Sequence, residues 1–428
     1  MPERRKYFTC QVFCIALSGM LFNSSFAQPG EIVFNRLTKE NGLSANMIHW
    51  LLKDRQGFYW LSSVNGLQRY DGYRWVNFRH NEKDSTSLPD NVVYQLMEDN
   101  QNRLWLNSGG YPCIYNPLKR NFKKIPVEYP GNKPFNIYSL FQDSKNQIWM
   151  VSGPQGLFVL DTVKNIFRPY TTIWPSFFSK VFFFQEDAEA GRYWLATEKG
   201  SVLYDTRRKI YLHSKNNPDS LPCFKSKDFS EYYQFVYLDK NKILWTWSGH
   251  PVKGGLVFRY DITNKEFISV KKNEFAPVKY YSYAEPIKFI TDQTGTTWAY
   301  GTQLWRYDSR LKEFIEVPRQ QNNPYGIFFN WIYNMYEDTD GIIWVMSDLG
   351  LYNFNPRLQN FTTLNGVWSY GQKKITNAET NGYLQTTDGH ILSIGWSYDG
   401  IIFYDSTFKQ VRPIYGFNPA DKKYNQAD

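Results

Sequence analysis

The chain has 428 residues, a formal net charge of +9, 18% aromatic residues and four cysteines. Four cysteines at these spacings form neither a disulfide framework nor a metal-ligand pattern. Beyond residue 27 no stretch approaches the roughly 20 apolar residues that a membrane-spanning helix requires.

The chain opens on the pattern of a secretory signal. Arg4, Arg5 and Lys6 form a basic start, Phe8 to Phe22 an apolar run, and Ser25-Phe26-Ala27 places small residues at a cleavage site. We expect cleavage after Ala27 and export to the periplasm. The mature chain then carries +7, because three basic residues and one acid leave. An exported, moderately basic chain is no candidate for nucleic acid; it is compatible with an anionic ligand such as an acidic glycan. Cys10 and Cys14 also leave, and Cys113 and Cys223 read as small buried hydrophobes.

A lone strand follows at residues 32–37. Seven tryptophans then recur, Trp60, Trp105, Trp149, Trp194, Trp245, Trp298 and Trp344, at gaps of 45, 44, 45, 51, 53 and 46 residues. An aspartate stands six residues before each of them, except in the fourth unit, where Asp187 stands seven before Trp194. Turn residues fill the interval, as in Asp54-Arg55-Gln56-Gly57. Behind the tryptophan come a polar stretch, a Gly-Leu or its equivalent, an alternating run ending in Tyr-Asp as at Gly66–Asp71, and an aromatic that opens another strand. These are four short strands per unit, bounded by Gly, Asn, Asp or Pro. No sustained 3.6-residue period appears, so almost no helix is expected. Seven four-stranded antiparallel units predict an all-β, seven-bladed β-propeller, with the tryptophans as blade anchors packed between sheets.

The runs Asn41-Gly42-Leu43-Ser44, Asp54-Arg55-Gln56-Gly57-Phe58-Tyr59-Trp60 and Gly66-Leu67-Gln68-Arg69-Tyr70-Asp71-Gly72 resemble the two-component regulator propeller repeat. The resemblance covers the chain from about residue 34 to the end. It implies the periplasmic sensor region of a hybrid two-component regulator of Bacteroidetes-type bacteria, sensing a glycan degradation product without chemistry of its own. No cofactor is implied. The partners it implies are an oligosaccharide and a second copy or sensor protein. A protein-binding scaffold is the first alternative and a streptogramin-lyase-like propeller enzyme the second.

The aromatic-led outer strands from Phe34 to Phe314 number seven, as do the tryptophan units. The strand at Phe34 is therefore expected to complete the blade of Trp344 and close the ring. After Phe361 an eighth, degenerate unit follows, with Leu392 where tryptophan stood. The expected domains are a signal at 1–27, the propeller at 28–358, and one blade of a second, incomplete propeller at 359–428, as in a truncated sensor. A single eight-bladed ring is the alternative.

The repeated aspartates read as turn formers, since a catalytic carboxylate pair would converge on one point instead of spreading evenly around a ring. No histidine has ligand spacing to another, so no metal site is expected. The two long gaps place extra length in consecutive loops from a fourth strand to the next first strand. These loops carry Tyr232, Tyr233, Tyr281, Tyr283, Lys271 and Lys272, and an adjacent loop between second and third strands is expected to bring Trp247 and His250. Tyrosines stack on sugar rings and lysines meet carboxylate or sulfate, which makes this cluster the expected ligand site. The simpler reading is that these aromatics merely cover longer loops.

Overall fold

The computed structural model describes residues 32–129, 136–170, 180–198, 200–230, 234–250, 254–270 and 287–357, and beyond them 367–370, 373–376, 380–387, 390–395, 401–404 and 410–415. The described chain divides into two units, Phe34–Arg357 and the strands beyond it.

The first unit is a seven-bladed propeller. The first blade runs Ile48–Lys53, Tyr59–Ser63, Gly66–Tyr70 and Trp75–Phe78 in an antiparallel meander, and five further sheets repeat that order. The last blade takes its outer strand from the beginning of the chain: Asn35–Leu37 pairs with Leu351–Phe354, with Asn35 opposite Asn353 and Leu37 opposite Leu351. Each first strand touches those of both neighbouring blades, and the contacts close into a cycle of seven. The ring closure expected from Phe34 is therefore the one the molecule uses. Phe34 itself is 1% exposed and meets Phe354 edge-on, its ring centroid 5.0 Å away.

The repeat works as a latch. Asp99 accepts the backbone N–H groups of Gln101 and Arg103 at 2.9 Å each and the indole Nε1–H of Trp105 at 2.8 Å. The same three donors converge on Asp54, Asp143, Asp239, Asp292 and Asp338, with indole distances from 2.7 to 3.4 Å. The turn needs a left-handed residue three positions after the aspartate. Gly57, Gly295 and Gly341 supply it at low cost, and Asn102, Asn146 and Lys242 adopt it with φ of 61°, 65° and 60°. One carboxylate thus fixes the turn and orients the anchor ring, while burial of that ring between blades supplies the apolar stabilisation.

The fourth blade shows what one extra residue does. Asp187 is still buried, but the indole Nε1 of Trp194 has no hydrogen-bond partner among the described residues. Asp187 instead accepts from Lys242 of the fifth blade at 2.8 Å. The insertion has moved the carboxylate out of reach of its own tryptophan.

Neighbouring blades are tied at their turns. Glu98, Gln142, Glu186 and Glu337, each at the end of a first strand, accept the turn amides of Arg55, Asn100, Ser144 and Gln293 from the preceding blade. At the closure seam the corresponding pair is ionic, Lys53 to Asp340 at 2.5 Å. Cys113 and Cys223 are free and buried, and burial pushes both thiols up.

The second unit contains a hairpin, Val367–Tyr370 with Lys373–Thr376, and a four-stranded antiparallel sheet of Thr380–Gln385, Ile391–Gly395, Ile401–Tyr404 and Gln410–Tyr415. This is the degenerate unit expected with Leu392 in the tryptophan position. It lies outside the closed cycle, so the eight-bladed alternative does not hold. The strand expected at Phe361 and the signal at 1–27 lie outside the described residues.

Candidate functional site

The first strand of each blade begins at the face that carries the loops from fourth to first strands, and there the chain breaks register. In the first, second, third, fourth and seventh blades a bulge falls one residue into the strand, as between Ile48 and Trp50. The extra residue of a bulge is re-aimed relative to the ladder. Those residues are His49, Tyr94, Tyr138, Phe182 and Tyr333, each five positions before its turn aspartate.

His49 shows where this position points. Its ring stacks against Tyr94 of the second blade at 5.4 Å and meets Tyr333 of the seventh blade edge-on at 4.9 Å. A first-blade side chain that reaches both neighbouring blades lies toward the ring axis, at the mouth of the central channel. His49 is 8% exposed and Tyr94 is 50% exposed, so the cluster passes from core to solvent within one contact. Nδ1 of His49 stands 2.9 Å from the carbonyl of Val93. A carbonyl only accepts, so Nδ1 carries the hydrogen and Nε2 of the neutral ring is left as an acceptor. Burial lowers the pKa of His49, and the charge of Lys288 lowers it further, so the neutral form holds at neutral pH.

Lys288 belongs to the sixth blade, four residues before Asp292. Its Nζ donates to the carbonyl of Tyr333 at 2.9 Å. No carboxylate pairs with it among the described residues, and burial lowers its pKa to about 8. Gln95, at the same repeat position, also ties to the next blade, exchanging two hydrogen bonds with the backbone of Leu140. Lys288 can therefore be read as a blade tie, but an ammonium has three donors and this contact uses one. The Tyr300 hydroxyl donates to Asn334 at 2.9 Å and adds a further polar contact between these two blades. Burial raises the pKa of Tyr333, with Asp348 adding to it.

The loop residues expected to bind ligand are placed only in part. Tyr232, Tyr233, Tyr281, Tyr283, Lys271 and Lys272 lie outside the described residues, as does the side chain of His250. Trp247 corrects one expectation. It sits in the strand Ile243–His250, not in a loop, and is 1% exposed within the core between the fifth and sixth blades. The second strand of this blade runs on to His250, so the Trp-x-Trp of residues 245–247 places both rings in the sheet. The described part of the first long loop is anchored. Leu221, Cys223, Phe224 and Phe229 tuck into the core of the fourth and fifth blades, while Lys225 and Lys227 remain exposed. The mouth residues escaped the sequence reading, although for His49, Tyr94 and Tyr333 the constant five-residue distance from the turn aspartate was a usable signal.

The fold and its latch define a closed seven-bladed propeller with a polar, aromatic channel mouth. Residues 87–110, from the loop before the second blade through its Asp99–Trp105 latch, match the family model of the two-component regulator propeller. The chain carries that repeat. A histidine kinase of Formosa agariphila is 34% identical over 77 residues, which are 18% of this chain and 6% of the kinase. The extracellular domain of a hybrid two-component system from Bacteroides thetaiotaomicron superposes with a TM-score of 0.66 at 18% identity, over 90% of this chain and 49% of that one. Virginiamycin B lyase from Staphylococcus aureus superposes at 0.53 and 12% identity, over 76% of this chain and 99% of the lyase. The chain thus spans about half of the Bacteroides domain and a small part of the kinase; at these identities the superpositions establish the fold alone.

Proposed function

We propose that this chain is the ligand-sensing propeller of an exported two-component sensor, and that it recognises a glycan degradation product without catalysing its breakdown. The channel mouth carries the reading. It joins an exposed aromatic ring, a hydrogen-bond acceptor and a cation on the face where the inter-blade loops gather, and saccharide recognition draws on such groups. The repeat and the similarity to an extracellular sensor domain support the role and an exported location. No helix among the described residues is long and apolar enough to cross a membrane. Tyr232, Tyr233, Tyr281, Tyr283, Lys271, Lys272 and His250 remain candidates to extend the site on the same face. The sheet at 380–415 is proposed to begin a second propeller, because it repeats the four-strand order of the blades in a separate unit.

A panel of oligosaccharides tested against the mature chain by saturation-transfer NMR checks the reading. Binding without turnover, weakened by Tyr94→Ala, supports it. Binding of a protein but of no glycan favours a scaffold, and conversion of a streptogramin B substrate would make the chain a lyase.

A further inference from the structure

We propose that the channel mouth is a site for a small hydroxylated carboxylate, whose carboxylate meets Nζ of Lys288 and whose hydroxyl donates to Nε2 of His49, with Tyr94 as a wall. The proposal rests on the reading of the propeller as a ligand-binding module and narrows it to one chemistry at one place.

Lys288 and His49 converge on the same residue. Lys288 holds the carbonyl of Tyr333 at 2.9 Å, and His49 packs against the ring of Tyr333 at 4.9 Å. They come from the sixth and first blades, which flank the seventh, so the two groups lie on either side of Tyr333. The two sites differ in polarity. Lys288 is a half-buried cation with two donors unused and no carboxylate paired to it among the described residues. A charge held out of water gains most from an opposite charge that arrives with the ligand. Nε2 of His49 has no hydrogen-bond partner among the described residues, and the bond to Val93 leaves it a lone pair. It therefore rejects an anion and accepts an O–H. A bare inorganic anion satisfies the lysine alone; a neutral polyol satisfies the histidine alone. A molecule carrying a carboxylate and a hydroxyl satisfies both.

The exposed Tyr94 ring, stacked on His49 at 5.4 Å, gives such a ligand an apolar face to lie against. Chain closure builds the site. His49 and Tyr333 stand 284 residues apart in sequence and meet across the seam where the seventh blade takes its outer strand from residues 35–37.

The test uses the mature chain and three probes, glucuronate, glucose and inorganic sulfate, with binding read by tyrosine and tryptophan fluorescence and by saturation-transfer NMR. Glucuronate should bind at least tenfold more tightly than glucose or sulfate. Lys288→Met should abolish that preference and Lys288→Arg should retain most of it. His49→Phe, which removes the acceptor, should weaken glucuronate about tenfold and leave sulfate unchanged. Glucuronate binding that survives Lys288→Met, or equal binding of glucose, overturns the proposal while leaving a glycan-sensing propeller in place. Binding of sulfate alone would mark an adventitious ion only and overturns it too. A failure of all three probes likewise overturns it; binding of a neutral oligosaccharide from the wider panel would then still support the sensing role.

Discussion

The latch between Asp143 and Trp149 can be weakened by one isosteric change. Asp143→Asn keeps the acceptor Oδ1 that holds the amides of Lys145 at 2.9 Å and Gln147 at 2.8 Å. It places an amide NH2 where Oδ2 now accepts from the Trp149 indole at 2.8 Å and the Tyr193 hydroxyl at 3.2 Å. A hydrogen bond to a charged group contributes about 1.5–3 kcal/mol, and a buried donor left without a partner costs about 1–3 kcal/mol. Trp149 is 1% exposed, so water cannot replace the lost acceptor. The tyrosine can rotate its hydroxyl, so the indole dominates, and we expect a loss of about 3 kcal/mol. The fourth blade is the internal control. Asp187 holds no indole; its described partner is Lys242, which also meets Glu189 at 3.0 Å, so Asp187→Asn removes a buried ion pair and leaves every indole bond untouched. Urea unfolding of both variants, followed by tryptophan fluorescence, measures the difference. A cost below about 1 kcal/mol for Asp143→Asn would refute the latch, because the carboxylate would then act only on its turn, whose bonds to Oδ1 the asparagine keeps.

Other consequences follow from the ring and its mouth. Deleting residues 28–37 should lower amide-exchange protection in the strands Ile343–Ser347 and Leu351–Phe354 far more than in the third blade, and Phe34→Ala alone should cost about 3–4 kcal/mol; unchanged protection would remove the closure model. Lys288 has a folded pKa of about 8 against an ordinary 10.5, so the unfolded chain binds more protons between these values. Stability should therefore rise as pH passes from 8 to 10.5, by up to about 3 kcal/mol relative to Lys288→Met, in denaturation curves taken across that window. Below pH 8 the cost of the buried charge is fully present, and Lys288→Met should be the more stable protein. Trp247→Ala should destabilise the fold by about 3–5 kcal/mol, whereas Tyr233→Ala and Tyr281→Ala should leave the melting temperature unchanged; a normal melt for Trp247→Ala would contradict its place in the core.

The repeat, the four strands of each unit, the number of blades and the seam were all legible in the sequence. These follow from local rules: strand composition, turn residues and one large aromatic per unit recur because every blade solves the same packing problem. Even the pairing of residues 35–37 with the last blade was legible, since an unmatched outer strand at one end requires an incomplete blade at the other. It also showed the extra residue between Asp187 and Trp194, but not that the indole loses its acceptor, which is a matter of reach in three dimensions. Trp247 was misplaced because its strand runs longer than those of the other blades, and strand length is set by the partner strand at Gly254–Asp261. The mouth was decided by tertiary structure alone. His49, Tyr94, Lys288 and Tyr333 belong to four blades, and each comes from the first strand of its own unit. Closure of the ring brings His49 beside Tyr333, because a circle joins the two blades that lie farthest apart in sequence.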